Sequence, residues 1–125
     1  MASVHAWDEG VAFYTGALEG ASAGGNSAGK LSYRLAEKRC ANFKTCGATG
    51  DSTSGTSYVN TEVFRQLDIG KNKLLTGKCE ETRPVLRKIV SLMSIPLIQG
   101  TLRYAYKLEF QSGSDREHRT AGRRL

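Results

Sequence analysis

Apolar side chains recur at helical spacing from the start of the chain. Trp7, Val11, Tyr14 and Leu18 follow one another at intervals of four, three and four residues, so on a helix they share one face. We therefore predict a first helix that is capped by Ser3 and runs to about Leu18.

A second helix is predicted over residues 30–44, with a buried side made by Leu31, Leu35 and Phe43. The water-facing side of this helix is predicted to consist of charged residues: Arg34, Glu37, Lys38 and Arg39.

The third predicted helix covers residues 58–76. Its buried face is predicted to consist of residues at intervals of three and four: Val59, Val63, Leu67, Gly70 and Leu74, with Phe64 beside them. Gly70 costs a helix up to about 1 kcal/mol relative to alanine, and a close approach of another helix would account for a glycine on this face. Gly77 is the residue type that favours the position just after a helix end.

The fourth predicted helix is the longest and the most apolar. It begins near Thr82, with Pro84 in its first turn, and Pro96 predicts a kink because proline cannot donate to the Leu92 carbonyl. Its apolar residues form a main row and a second row: Val85, Ile89, Met93, Leu97, Gly100, Tyr104 and Leu108, then Leu86, Val90, Ile98 and Leu102. Because these rows cover more than half of the circumference, we expect a central helix whose excess length packs on something outside this chain or frays.

Two Gly/Ser-rich segments, residues 20–29 and 47–57, separate the helical patterns and predict long loops, and strand patterns are weak throughout. The predicted fold class is therefore all-α, a four-helix, bundle-like arrangement that is a fragment of a larger helical protein. Residues 1–111 form the helical domain in this prediction, and residues 112–125 form a basic, disordered tail.

Composition and charge narrow the classes of protein. The 125 residues are 39% hydrophobic and 24% charged, as in ordinary globular domains. The sequence contains no run of 18 apolar residues, so it does not predict a membrane span. No signal peptide is visible at the start of the sequence. The net charge is +6, to which the arginines of the tail contribute, so a polyanion partner is permitted, but no motif indicates nucleic-acid binding.

The chain contains three cysteines, Cys40, Cys46 and Cys79, and their spacing fits no zinc site. An oxidising compartment would allow a Cys40–Cys46 or a Cys46–Cys79 disulfide, and three reduced thiols are the alternative.

The segment HAWDEG holds the densest set of metal-binding side chains. His5, Asp8 and Glu9 stand at i, i+3 and i+4, so a helix presents them on one face, and Tyr14 could add a phenolate. Carboxylate and imidazole ligands suit iron, manganese and zinc. The alternative is that the two acidic residues stabilise the start of the helix by about 0.3–1 kcal/mol through its dipole.

Enzymatic chemistry finds no support in the sequence. The sequence has two histidines that could act as the base for a catalytic nucleophile, His5 and His118, and neither lies in a catalytic motif. The segment GASAGGNSAGK lacks the Ser or Thr that follows the lysine of a phosphate-binding loop. We therefore predict a protein that is not an enzyme.

Four segments, in order, resemble the algal low-iron-inducible, iron-assimilation periplasmic proteins, which are also described as high-carbon-dioxide-inducible extracellular proteins. HAWDEGVAFYTG resembles their HxWDEGxAFYxG signature, and AEKRCANFKT, VNTEVFRQLDIGKNKLLTGK and IPLIQGTLRYAYKL resemble later segments. The resemblance covers about residues 4–110, and the tail departs from it.

The resemblance implies a non-enzymatic protein of the periplasm or extracellular space that binds iron, as Fe³⁺ or Fe²⁺, and assists its uptake. It implies Asp8 and Glu9 as metal contacts, with His5 beside them and Tyr14 as a further match. A membrane iron transporter or another protein subunit would be the partner. The basic charge of the chain is less suited to concentrating a cation than an acidic surface would be.

The apolar surface predicted between Val85 and Leu108 favours a different class of function. In this alternative the chain is a helical structural or interaction module that docks its fourth helix into a larger protein assembly. Binding of a polyanion through the arginine tail is a third interpretation.

Overall fold

Four helices form where the apolar spacing predicts them. The computed structural model describes residues 2–16 and 30–110. Within these ranges the elements in chain order are α1 (Ala2–Thr15), α2 (Leu31–Phe43), α3 (Tyr58–Leu75), a 3-10 turn (Cys79–Glu81) and α4 (Thr82–Phe110). The described residues contain two isolated β-bridges and no strand, so the all-α prediction is confirmed.

Local chemistry sets several of the helix ends. The Ser57 side chain accepts a hydrogen bond from the Asn60 backbone N–H at 3.4 Å, which caps the start of α3. Gly77 follows the end of α3 with a φ of +74°, as predicted. The predicted cap at Ser3 is wrong because Ala2 is already helical, and α1 ends at Thr15 rather than near Leu18, which lies outside the described residues.

The helices pack around α2 and α3. Both α1 and α4 pack against this central pair, whereas α1 and α4 are not packed against each other. The core between them consists of Tyr14, Tyr33, Ala36, Val59, Val63, Val85 and Ile89. In it the rings of Tyr14, Tyr33 and Phe64 meet edge to face, with centroids 5.8 to 6.4 Å apart.

Gly70 lies at the closest approach of α1 to α3. A Cβ built on Gly70 would lie 2.1 Å from Cζ2 of Trp7, so only glycine leaves room for this indole ring. The ring is fixed by its Nε1, which donates to the Leu67 carbonyl at 2.8 Å. The predicted close approach is confirmed, and the group that approaches is a tryptophan side chain.

The buried side of α2 differs from the predicted side. Leu31 is exposed and Phe43 is at the border of exposure, whereas Glu37 and Arg39, which were expected to face water, are buried. The face that packs in the core carries Tyr33, Ala36, Glu37 and Cys40. Long-range contacts with α1 and α3 select this face, because its aromatic ring and small residues fit the space between those helices.

The expectation of a central α4 is wrong for much of its length. Its buried residues are Val85, Ile89, Pro96, Gln99 and Gly100. Leu97, Tyr104 and Leu108 of the predicted main row are exposed, because α2 and α3 cover only one side of this helix.

Candidate functional site

The residues of the predicted metal site are only partly brought together. His5 Nε2 lies 3.1 Å from Glu9 Oε1, and both side chains are well exposed, at 79% and 61%. Asp8 Oδ1 instead lies 3.8 Å from Nζ of Lys71 on α3. No group of three or more histidine, cysteine, aspartate or glutamate side chains positioned to hold a metal occurs among the described residues.

Tyr14 faces the core, away from the solvent that surrounds His5 and Glu9. Its hydroxyl donates to Asn60 Oδ1 at 2.5 Å, and the side chain is buried. Burial, with a smaller effect of Tyr33 and Glu37, raises the pKa of Tyr14 far above its ordinary value. The structure therefore places Tyr14 as a neutral hydrogen-bond donor in the core, apart from the other predicted metal ligands.

A buried polar network joins α1, α2 and α3 around Asn60. The Asn60 side-chain nitrogen donates to Glu37 Oε1 at 3.1 Å and to the Tyr33 carbonyl at 2.9 Å. Glu37 Oε2 accepts from the Ser57 backbone N–H at 3.1 Å, which places a carboxylate at the start of α3. The unpaired N–H groups and the dipole at a helix start stabilise a negative charge, so this buried glutamate serves the architecture.

The same network affects Tyr33. Burial, followed by the charge of Glu37 and a hydrogen bond to it, raises the pKa of Tyr33 to about 12. Hydrogen bonds of Asn60 with Tyr14, Tyr33 and Glu37 connect α3 with α1 and α2, so the cluster fixes how the three helices fit together.

A disulfide closes the same end of the domain. Cys40 and Cys46 are bonded and buried, which resolves the pairing left open by the sequence, while Cys79 is a free, exposed thiol. Cys46 also bridges Ser52 and Ser57, so the segment between α2 and α3 is held by backbone hydrogen bonds.

An apolar seam runs along the outer side of α4. We define the α4 seam as Leu86, Val90, Met93, Leu97, Tyr104 and Leu108. At 100° per residue these positions fall within an arc of about 60°, and their spacing of four, three, four, seven and four is typical of helix–helix packing. Met93 is half-buried and the other five side chains are exposed, with Leu97 at 60%.

A groove between α1 and α4 continues this seam into the core. It has a volume of about 280 Å³, its floor is formed by Val63 and Leu67, and two seam residues, Leu86 and Met93, form its α4 wall. The opposite wall is α1, where Gly10 presents no side chain and Phe13 is 76% exposed. We call this cavity the α1/α4 groove.

The charges that α4 itself carries beside the seam are almost all basic. From Thr82 to Phe110, α4 carries Arg83, Arg87, Lys88, Arg103 and Lys107 against a single acidic residue, Glu109. At 100° per residue, Arg83, Arg87 and Lys107 lie within about 90° of the centre line of the seam, and Glu109 lies beyond about 120°. The face is therefore apolar along its centre with basic borders.

The segment Cys79–Phe110 is long and apolar enough, by length and composition, to cross a membrane, although core helices of soluble proteins pass the same test. In this structure one side of α4 packs on α2 and α3, and the Gln99 side-chain nitrogen donates to the Thr45 hydroxyl, in the segment between α2 and α3, at 3.4 Å.

Comparisons of the chain with protein-family models, with curated proteins and with solved structures found no match. The resemblance to iron-assimilation proteins and the metal ligands that it implies therefore stay predictions.

Sequence reasoning missed Glu37, Asn60 and Arg39 as residues of the interior. The signal for Glu37 was its place on the face of Tyr33, Ala36 and Cys40, at intervals of three and four. Asn60 and Arg39 also lie at helical intervals from predicted core residues, Asn60 three residues before Val63 and Arg39 four residues after Leu35. Their polar side chains masked this signal, because such residues are usually exposed.

Proposed function

We propose that this chain is a non-enzymatic interaction module that docks through α4 into a larger protein assembly. The observation that carries this proposal is the α4 seam, a line of large apolar side chains that face solvent over about six helical turns. Full burial of a valine or leucine side chain contributes about 1.5–3 kcal/mol, and four seam residues are more than half exposed. A surface of this kind is typical of an interface that a partner covers.

Site-specific photo-crosslinking tests this proposal in cells that express the chain. A benzophenone amino acid is placed at Leu97 on the seam, and Ser91, an exposed α4 residue on the opposite side, gives the matched control. We expect one discrete crosslinked product from position 97 and none from position 91. Equal products from both positions, or none from either, would contradict docking through the seam.

The same proposal includes a cellular location for the protein, which is based on its disulfide. Because cytosolic thiols are kept reduced, the Cys40–Cys46 bond supports a periplasmic or extracellular location. Alkylation of the protein at the moment of cell lysis should label Cys79 alone. Labelling of all three cysteines would place the chain in a reducing compartment.

Iron binding is a second candidate function, favoured by the His5–Glu9 pair, which presents a nitrogen and an oxygen donor 3.1 Å apart at the surface. Calorimetric titration with ferric citrate tests it. We expect binding that is lost in an Asp8→Asn, Glu9→Gln double variant and retained in the exposed control Glu80→Gln. Equal heats in the native chain and in the double variant would rule out this site.

A further inference from the structure

We propose that the partner of this domain is an amphipathic α-helix with acidic borders, which lies in the α1/α4 groove and along the α4 seam. This inference rests on the proposed docking function and identifies the chemical class of its partner.

Spacing and shape favour a helix as the occupant. The seam has intervals of four, three, four, seven and four residues, so a second helix can place its own side chains between those of α4. From Leu86 to Leu108 the seam is about 33 Å long, which matches a helix of about 22 residues. At the groove Gly10 and Ala6 of α1 present small surfaces, which let a helix backbone approach closely.

Charge selects the kind of helix. The borders of the seam carry Arg87, Lys107 and Arg83, the last of which has its Nε 3.6 Å from Glu80 Oε2, so a partner with glutamate or aspartate beside its apolar stripe is complementary. A second copy of the chain would bring the same basic borders and a net charge of +6, and the two copies would repel each other.

Arg39 adds an independent indication of an acidic partner. This arginine is 8% exposed, and its Nη1 has no hydrogen-bond partner among the described residues. Its guanidinium carbon lies 5.8 Å from the centre of the Tyr104 ring, which belongs to the seam. Because Nη1 is itself buried, what Arg39 contributes to docking is its positive charge beside Tyr104, which favours a carboxylate on the docked helix.

The shape of the site disfavours a lipid surface as the occupant. Basic borders also suit anionic lipids, but Leu86 and Met93 form one wall of a groove whose opposite wall is α1. A helix can fill such a concave site, whereas a bilayer surface cannot follow it.

Two synthetic peptides of about 22 residues test the inference on the full chain. Both carry leucines at alternating intervals of three and four, and neither contains tryptophan. One has glutamate at the bordering positions and the other has lysine. Trp7 is the only tryptophan of the chain and lines the groove, so its emission reports occupancy, and the anisotropy of a labelled peptide gives the affinity.

We expect the glutamate peptide to bind at least tenfold more tightly than the lysine peptide and to change the Trp7 emission. Leu97→Asp should weaken binding of the glutamate peptide at least tenfold, whereas the matched control Ser91→Asp should leave it within twofold. Arg87→Glu should reduce the preference between the two peptides. Circular dichroism checks that each variant retains its helices.

Other outcomes overturn the inference without necessarily removing the docking function. Equal affinity for both peptides would show that charge does not select the partner. Binding of neither peptide, with a discrete crosslink at position 97, would retain docking but exclude an acidic helix. Sedimentation of the chain with vesicles of phosphatidylserine and phosphatidylcholine, lost in Leu97→Asp, would identify a lipid surface. A dimer that Leu97→Asp dissociates would identify a second copy.

Discussion

Replacing Gly70 with alanine tests the packing of α1 on α3. The added Cβ would lie 2.1 Å from Cζ2 and 2.6 Å from Cη2 of Trp7, whereas carbon atoms in contact are normally about 3.5–4.0 Å apart. The indole must therefore move by more than about 1 Å. Its Nε1 bond to the Leu67 carbonyl, which comes from the same helix as Gly70, resists that movement.

The expected net effect of Gly70→Ala is a loss of about 1–3 kcal/mol in the free energy of unfolding. Overpacking costs about 1–3 kcal/mol, and loss of the indole hydrogen bond costs about 1 kcal/mol. The higher helix propensity of alanine offsets up to about 1 kcal/mol of this. Urea unfolding followed by circular dichroism measures the stability, and Trp7 emission, shifted to longer wavelength, shows that the indole has moved.

Gly10→Ala is the matched control because nothing lies within 4 Å of a Cβ at that position of α1. The same substitution there should stabilise the protein by about 0.5–1 kcal/mol, since alanine favours a helix over glycine. The reasoning would be refuted if both variants changed stability in the same direction, or if Gly70→Ala left the Trp7 emission unchanged.

Three further predictions concern the buried network and the disulfide. Burial raises the pKa of Tyr33 to about 12 and that of Tyr14 further, so the folded state keeps protons that the unfolded chain releases above about pH 10. These two tyrosines therefore leave the urea midpoint unchanged between about pH 7 and 10 and lower it as the pH rises through 12, and a midpoint independent of pH from 10 to 12 would contradict this. Asn60→Ala should cost about 2–4 kcal/mol in urea unfolding because it removes the acceptor of the buried Tyr14 hydroxyl and the donor to Oε1 of the buried Glu37 carboxylate. In contrast, Asn72→Ala on the exposed side of α3 should change stability by less than about 0.5 kcal/mol. Reduction of the disulfide, which closes a short loop, should lower the free energy of unfolding by about 2 kcal/mol. As a control, Cys79→Ser should change neither the stability nor the effect of reductant. Equal stability with and without reductant would show that the bond is not structural.

Helix positions could be predicted well because their signals are local. Gly77 after α3 and Pro84 in the first turn of α4 mark boundaries through backbone chemistry that needs no other part of the chain. The predicted and observed bounds of α2 and α3 differ by no more than one residue at each end. The start of α1 was predicted incorrectly: serine is a common helix cap, so the cap was placed at Ser3, whereas the helix already includes Ala2.

Which faces are buried could not be predicted from spacing alone. On α2, the Leu31 and Leu35 pair and the Tyr33 and Cys40 pair both recur at helical intervals, and only the contacts with α1 and α3 decide between them. The interior position of Glu37 depends on the start of α3, 20 residues further along the chain. A charged residue is therefore buried at the place where another helix supplies its hydrogen bonds.

The candidate site was predicted in its chemistry more than in its geometry. His5 and Glu9 meet as the i, i+4 rule requires, because that rule depends on one helix only. Asp8 and Tyr14 diverge because other helices offer them Lys71 and Asn60 as partners. The apolar surface of α4 is exposed for the opposite reason: α4 has more apolar residues than α2 and α3 can cover.

The distribution of polar and apolar groups assigns different roles to the two parts of the domain. Tyr14, Glu37 and Asn60 join α1, α2 and α3 through hydrogen bonds, and the disulfide closes one end of that unit. In contrast, α4 packs on this unit through one apolar side and leaves its seam in water. A ligand that covers both α4 and α1 would connect the two sides across the α1/α4 groove, so binding should stabilise the whole domain. For a peptide at one hundred times its Kd, thermodynamic linkage gives an increase of about 2.7 kcal/mol in the free energy of unfolding. A peptide that binds the chain without raising its urea midpoint would have to bind the unfolded chain equally well, and the groove would then not be its site.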